Sequence, residues 1–177
     1  NAPQTDLYRG KSGGAGATDP DGFDTHSRTW FMYAGLNQQL TQHQDDPNRG
    51  VSTSFSMSLA DQSTNYMHQV YAASLRYRGL FDARPEDWIG FGLTWIDMSS
   101  QYARNQRYLN SLSGVSDYNN PAWHPVPGHS LNGEFYYRFR PVSWLELQPG
   151  IQYWHHPGGV SRTQDAWVTE LKTVVTF

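Results

Sequence analysis

The chain reads as all-β, an antiparallel transmembrane β-barrel of about 7 strands, and three observations carry that prediction. Apolar and polar residues alternate with period two along one segment after another. Each segment runs about 9–12 residues, which suits a tilted strand crossing a bilayer better than the ~5–6 residues of an ordinary strand. The connections alternate between short and long, as barrels do with short periplasmic turns and long outer loops.

Composition supports the class and excludes others. Charged residues are 16% of the 177-residue chain, well under the ~25% of typical soluble domains. Aromatics reach 15%, yet mean hydropathy is -0.69, because Ser, Thr, Asn, Gln and Gly supply the polarity. The net charge of -3 and the absence of a basic run argue against a nucleic-acid partner. With no cysteine, a disulfide framework and thiolate metal sites are excluded. No apolar run approaches the ~18 residues of a transmembrane helix. Residues Asn1–Gly10 lack the charged-then-apolar build of a signal peptide. The expectation is that a leader has been removed or that the chain begins partway through a larger protein.

The first candidate strand, "RTWFMYAGLNQQL", puts Trp30, Met32, Ala34, Leu36 and Leu40 on one face. "VSTSFSMSL" is the clearest alternation: Val51, Thr53, Phe55, Met57 and Leu59 oppose four serines. "QVYAASLRYRG" sets Tyr71, Ala73, Leu75 and Tyr77 against Ser74, Arg76 and Arg78, and "WIGFGLTWID" sets Ile89, Phe91, Leu93 and Trp95 against Gly90, Gly92 and Thr94. In "HSLNGEFYYRFR", Leu131, Phe135, Tyr137 and Phe139 oppose Asn132, Glu134, Tyr136, Arg138 and Arg140. "WLELQPGIQYW" and "WVTELKTVVTF" complete the series, with Glu146, Gln148, Gln152, Glu170 and Lys172 on their polar faces. Charges recur on that second face, which a packed sandwich does not tolerate, whereas a water-filled barrel lumen does. The segmentation is therefore an outer loop region at 1–27, seven strands over 28–177, and a long outer loop at about 99–127. The link 41–50 is long for a periplasmic turn, and 60–66 is short for an outer loop.

Trp30, Tyr77, Trp88, Trp95, Trp144, Tyr153, Trp154 and Trp167 fall near strand ends, which reads as two interfacial aromatic girdles. Seven strands do not close a bacterial barrel, whose strand number is even. Either residues 3–9 end an eighth strand, or the chain is the C-terminal part of something larger. At about 25 residues per strand, a 16-stranded porin requires roughly 400, and the charge- and glycine-rich polar face favours this second reading.

Two stretches carry a family resemblance. In "YRGLFDARPEDWIGFGLTW" a strand ends in Gly79–Leu80, an Arg84–Asp87 turn of the form Arg-Pro-x-Asp follows, and the next strand is glycine-rich. The final hairpin carries Gln152–Tyr153, the His-Pro-Gly-Gly of 156–159, the Asp-Ala-Trp of 165–167 and the terminal Val174–Phe177. Both resemble the carbohydrate-selective porins of the OprB family. The resemblance implies a homotrimeric channel in a Gram-negative outer membrane, passing glucose and related monosaccharides, with no reaction, no cofactor and no metal. It implies lipid around the wall, a C-terminus on the periplasmic side, and Phe177 as the signal read by the barrel-assembly machinery.

Inward-facing candidates for the solute path are Arg76, Arg78, Glu134, Tyr136, Arg138, Glu146, Trp154, Glu170 and Lys172. Guanidinium and carboxylate groups bind vicinal hydroxyls, and Tyr or Trp stacks on a sugar ring. The blander reading is that these charges pair with one another and solvate the wall; for Arg140, beside Pro141, an interfacial role is expected. Asp19, Asp21 and Asp24 resemble the start of a calcium loop but lack the later Glu, so an acidic turn is expected. The histidines of "WHHPGG" and "AWHPVPGH" lack helical zinc spacing and read as loop histidines without partners. Two rival functions remain: an outer-membrane glycoside hydrolase using Glu134 and Glu146 as its carboxylate pair, and a soluble β-sandwich that binds sugar.

Overall fold

A computed structural model describes residues 3–176. The wall is one antiparallel sheet of seven consecutive strands. They are β3 (Phe31–Gln39), β4 (Gly50–Ala60), β5 (Met67–Arg78), β6 (Trp88–Met98), β7 (His129–Val142), β8 (Leu145–His155) and β9 (Ala166–Val175). Sequence and structure agree on all seven. The sheet is open: β3 and β9 do not pair with each other among the described residues. The first strand, β1 (Gln4–Gly10), pairs instead with β2 (Phe23–His26), so it is not an eighth strand of the wall.

Register keeps the two faces apart from one edge to the other. One row runs Leu36, Phe55, Ala73, Leu93, Gly133, Tyr153, Trp167, all on the apolar face. A neighbouring row on the other face runs Ser52, Arg76, Gly90, Tyr136, Gly150, Glu170. Because the side-chain period is two, a one-residue slip anywhere would send arginines to the apolar side.

No described residue covers the apolar face. Leu36 is 60% exposed, Phe135 50% and Leu171 64%. Among the described residues the buried apolar side chains are Ala60, Ala103 and Pro127, all small. A soluble sandwich places one face of each sheet in a shared core; this sheet has no core to share. No helix among the described residues is long and apolar enough to cross a membrane. The exposed apolar face is what a lipid-facing barrel wall presents.

At one end lie the tight connections. Ser143 and Trp144 join β7 to β8, with Val142 opposite Leu145. The 79–87 turn closes on Asp87: Gly79 N–H donates to the Asp87 carbonyl at 2.8 Å, Arg84 Nη1 reaches the Asp87 carboxylate at 3.2 Å, and the Tyr137 hydroxyl donates to it. The longer link after β3 folds onto the start of β4, with Val51 N–H donating to Thr41 Oγ1 at 2.9 Å, and closes on itself through His43 N–H to the Arg49 carbonyl at 3.2 Å.

At the other end sit the N-terminal hairpin, the 61–66 and 156–165 links, and the connection after β6. That connection, expected as a loop, contains helix α1 (Ser100–Ser113). Ser99 caps its N-terminus by accepting the Tyr102 N–H at 3.2 Å, and Gly114 (φ 64°) ends it in the left-handed region. Its buried residues are Ala103, Asn105, Gln106 and Asn110, which are mostly polar. No apolar stripe therefore marked it in the sequence. The Asn110 amide mimics a β-bridge, donating to the His124 carbonyl and accepting the His124 N–H, each at 2.8 Å. Arg104 lies 4.2 Å over the Tyr8 ring, and Leu7 N–H donates to the Ser63 carbonyl at 2.8 Å, so the hairpin is fastened to this end. Asp19 satisfies itself within that hairpin by accepting Ser12 N–H at 2.7 Å and Asp21 N–H at 2.9 Å.

Candidate functional site: the polar face of the sheet

The polar face carries its charges in three groups, the first gathered around one indole. Trp88 stands opposite Arg78 of β5 and Arg138 of β7. The guanidinium carbons of Arg76, Arg78 and Arg138 lie 5.7, 5.6 and 5.8 Å from its ring centroid. Each such cation–π contact contributes about 0.5–1 kcal/mol where water has access. Sequence reasoning placed Trp88 in an interfacial girdle. Its register with Arg78 and Arg138 puts it on the polar face instead, because strand parity outranks nearness to a strand end.

Glycines make room for the larger side chains. Tyr136 lies across Gly90, where a Cβ would run into its ring. Glu170 lies against Gly150, where a Cβ would come 3.0 Å from its carboxylate oxygen. Small residues opposite large ones let an aromatic and a carboxylate lie flat on the wall. The alternation alone sends both glycines to the polar face, whereas their partners follow only from cross-strand register.

The second group centres on Glu146, which takes Arg138 Nε at 2.8 Å on one oxygen and Arg140 Nε at 3.2 Å on the other. Arg140 thus joins the polar face, rather than acting only at the interface beside Pro141. With Arg78, Glu86 and Trp88 these residues enclose a cleft of about 200 Å³. The third group is Lys172, between Glu134 at 3.0 Å and Glu170 at 2.9 Å, with Gln152 Nε2 donating to Glu170 at 2.9 Å.

All nine predicted path residues fall on this face by register. Trp154 stands apart, near the helix-bearing end, its indole N–H donating to Gln152 at 3.0 Å. Carboxylates pair with Arg138, Arg140 and Lys172, the two arginines sharing Glu146. Among the described residues Arg76 and Arg78 have no carboxylate within ion-pair distance, and their buried Nε atoms have no hydrogen-bond partner. Mutual pairing therefore accounts for part of the charge on the wall, not all of it.

Glu134 and Glu146 are not a catalytic pair. Glu134 stands opposite Gln152, six residues along β8 from Glu146, a separation of about 20 Å at ~3.3 Å per residue. Glycosidase carboxylates sit about 5–9.5 Å apart. Each is also committed to its own cation.

Comparison with known proteins agrees with the geometry. The family model described as "Carbohydrate-selective porin, OprB family" matches residues 1–177. The chain is 34% identical over 148 residues to Porin B of Pseudomonas aeruginosa, covering 84% of this chain and 32% of that protein. It is 34% identical over 154 residues to the putative porin QuiX of Acinetobacter baylyi, covering 86% and 35%. The chain thus spans about a third of the length of these curated relatives. It superposes on the high-pH structure of Pseudomonas putida OprB with a TM-score of 0.96 and 35% identity, over 99% of this chain and 42% of that one. The low-pH structure of the same protein aligns with a TM-score of 0.57 and 26% identity, over 84% and 37%. A seven-stranded wall with a bare apolar face and a charged, glycine-bayed polar face, matched from end to end by the family model, belongs to the carbohydrate-selective porins of the OprB family.

Proposed function

We propose that this sheet is part of the wall of an outer-membrane channel through which monosaccharides such as glucose diffuse passively, its polar face lining the water-filled lumen. The carrying observation is Trp88 flanked by three guanidinium groups, two of them without a carboxylate in ion-pair distance among the described residues. A sugar ring offers C–H faces to an indole and vicinal hydroxyls to guanidinium donors, so one locus serves both halves of its chemistry. Fixed cations beside the path also favour anions over cations, as charged rings do in pores. Passage of this kind uses neither a bond-making group nor a cofactor.

The same reading places lipid against the apolar face and the end bearing α1 on the outside of the cell. The tight turns and the end of β9 then face the periplasm. It makes the parent protein a homotrimer inserted by the barrel-assembly machinery, with Phe177, which lies outside the described residues, as the recognition signal. Segment 1–27 then belongs to the outer loop region.

The test is sugar uptake by liposomes carrying the full-length parent protein. Glucose entry faster than in empty vesicles, slowed by Trp88→Ala, is the expected result. Entry at the rate of empty vesicles rejects the channel; entry unaffected by Trp88→Ala moves the solute path away from this locus.

A further inference from the structure

The connection between β8 and β9 holds a cluster that takes no part in the polar face. His155 ends β8, Asp165 immediately precedes β9, and His156 opens the link between them. Asp165 accepts the Tyr153 hydroxyl at 2.6 Å, His155 Nδ1 at 3.0 Å and the His156 backbone N–H at 3.2 Å. The two imidazole rings lie 3.7 Å apart, centroid to centroid. One ligand-type atom from each of His155, His156 and Asp165 falls within 4.8 Å of the others.

Three features of this cluster point beyond a hydrogen-bonded turn. First, His156 Nδ1 is buried with no hydrogen-bond partner among the described residues, and a buried polar nitrogen without a partner is uncommon. Second, His155 Nδ1 lies 3.0 Å from an Asp165 oxygen, close to the ligand-to-ligand spacing of a tetrahedral zinc site. Third, His155 Nδ1 spans both Asp165 oxygens, at 3.0 and 3.1 Å, so an ion that replaces its proton meets the carboxylate there.

We propose that His155, His156 and Asp165 form a site for a divalent transition-metal ion of the zinc, copper or nickel kind at the helix-bearing end of the wall. Imidazole with carboxylate suits these ions, whereas calcium and magnesium favour all-oxygen sites. At the usual zinc–nitrogen length of ~2.0–2.1 Å, tetrahedral ligands sit about 3.4 Å apart. Binding therefore draws the side chains together by rotation on a backbone that is already anchored. That anchor is the pair of bonds from Gly159 N–H to the His156 carbonyl (2.8 Å) and from Gly128 N–H to the Gly159 carbonyl (2.7 Å). The His155 and Asp165 side chains are 38% and 39% exposed, so an ion reaches them from water, which fills the open coordination position. The bound ion ties the end of β8 to the start of β9.

The test titrates ZnCl2 into the full-length parent protein in detergent micelles, followed by calorimetry. One ion per chain is expected, with affinity falling about tenfold or more in His155→Gln and in His156→Gln. His129→Gln, whose ring lies 6.0 Å from that of His156, is expected to stay within about twofold of the unmutated protein. Strand circular dichroism and heat-modifiable gel mobility report whether each variant is folded. Copper(II) electron paramagnetic resonance on the unmutated protein needs no variant, and nitrogen hyperfine splitting is expected. Absence of zinc binding, binding unchanged in both His variants, or an all-oxygen copper spectrum overturns the site.

Discussion

At the scale of single residues, Trp88 and Gly90 shape the polar face. Trp88 gathers Arg76, Arg78 and Arg138 within 5.8 Å of its ring. Removing the indole releases Arg76 and Arg78, while Glu146 still holds Arg138. We expect Arg76→Ala to lower the anion preference of the pore, read from reversal potentials in planar bilayers, while melting stays unchanged. Gly90 is absent as a side chain so that Tyr136 can lie flat. Gly90→Val should push the Tyr136 ring into the lumen, reduce single-channel conductance, and destabilise the barrel by about 1–3 kcal/mol through overpacking. Unchanged conductance in that variant would mean Tyr136 does not border the open path.

At the scale of elements, the connections at the helix-bearing end depend on polar bonds rather than on packing. Asn110 holds the 123–126 segment through two backbone bonds of 2.8 Å. Asn110→Ala leaves the His124 N–H and carbonyl without their partner, at a cost of about 1–3 kcal/mol if they stay buried. Faster cleavage after α1 in limited proteolysis, with the strand spectrum intact, is the expected outcome. Asp165 gives a pH prediction. The Tyr153 hydroxyl, His155 and the His156 amide hold its carboxyl down to about 2. A carboxyl held below its unfolded value of ~3.9 stabilises the β8–β9 link fully above that value, and loses the contribution as pH falls through about 2. A carboxyl carbon-13 titration should find a midpoint near 2 and a rise in Tyr153→Phe. An equal midpoint in both proteins would remove the hydroxyl as the principal cause.

At the scale of the whole sheet, the assignment of faces is testable by charge. Phe135 lies midway along β7 on the apolar face and Ser74 on the polar face of β5. Phe135→Arg should destabilise the full-length barrel by about 2–4 kcal/mol, as a cation at the bilayer midplane does. Ser74→Arg should leave stability near that of the parent while changing conductance. Denaturant unfolding in lipid vesicles distinguishes them, and equal costs would contradict the two-faced wall.

The sequence by itself determined the seven strands, their order along the chain and which residues share a face, because those follow from a period of two and from strand length. It also identified the charged residues of the lumen candidate, since parity alone sends Arg76, Arg138, Glu146 and Glu170 the same way. Only the tertiary structure decided who meets whom. The grouping around Trp88 depends on cross-strand register, which no single strand encodes, and so the indole was misread as an interfacial anchor. Helix α1 escaped because its buried positions are Asn and Gln, leaving no apolar stripe to detect. The N-terminal strand found its partner in β2, within its own hairpin, rather than in the wall. His155, His156 and Asp165, separated in sequence by a loop, became neighbours only when β8 and β9 paired and brought the two ends of that loop together.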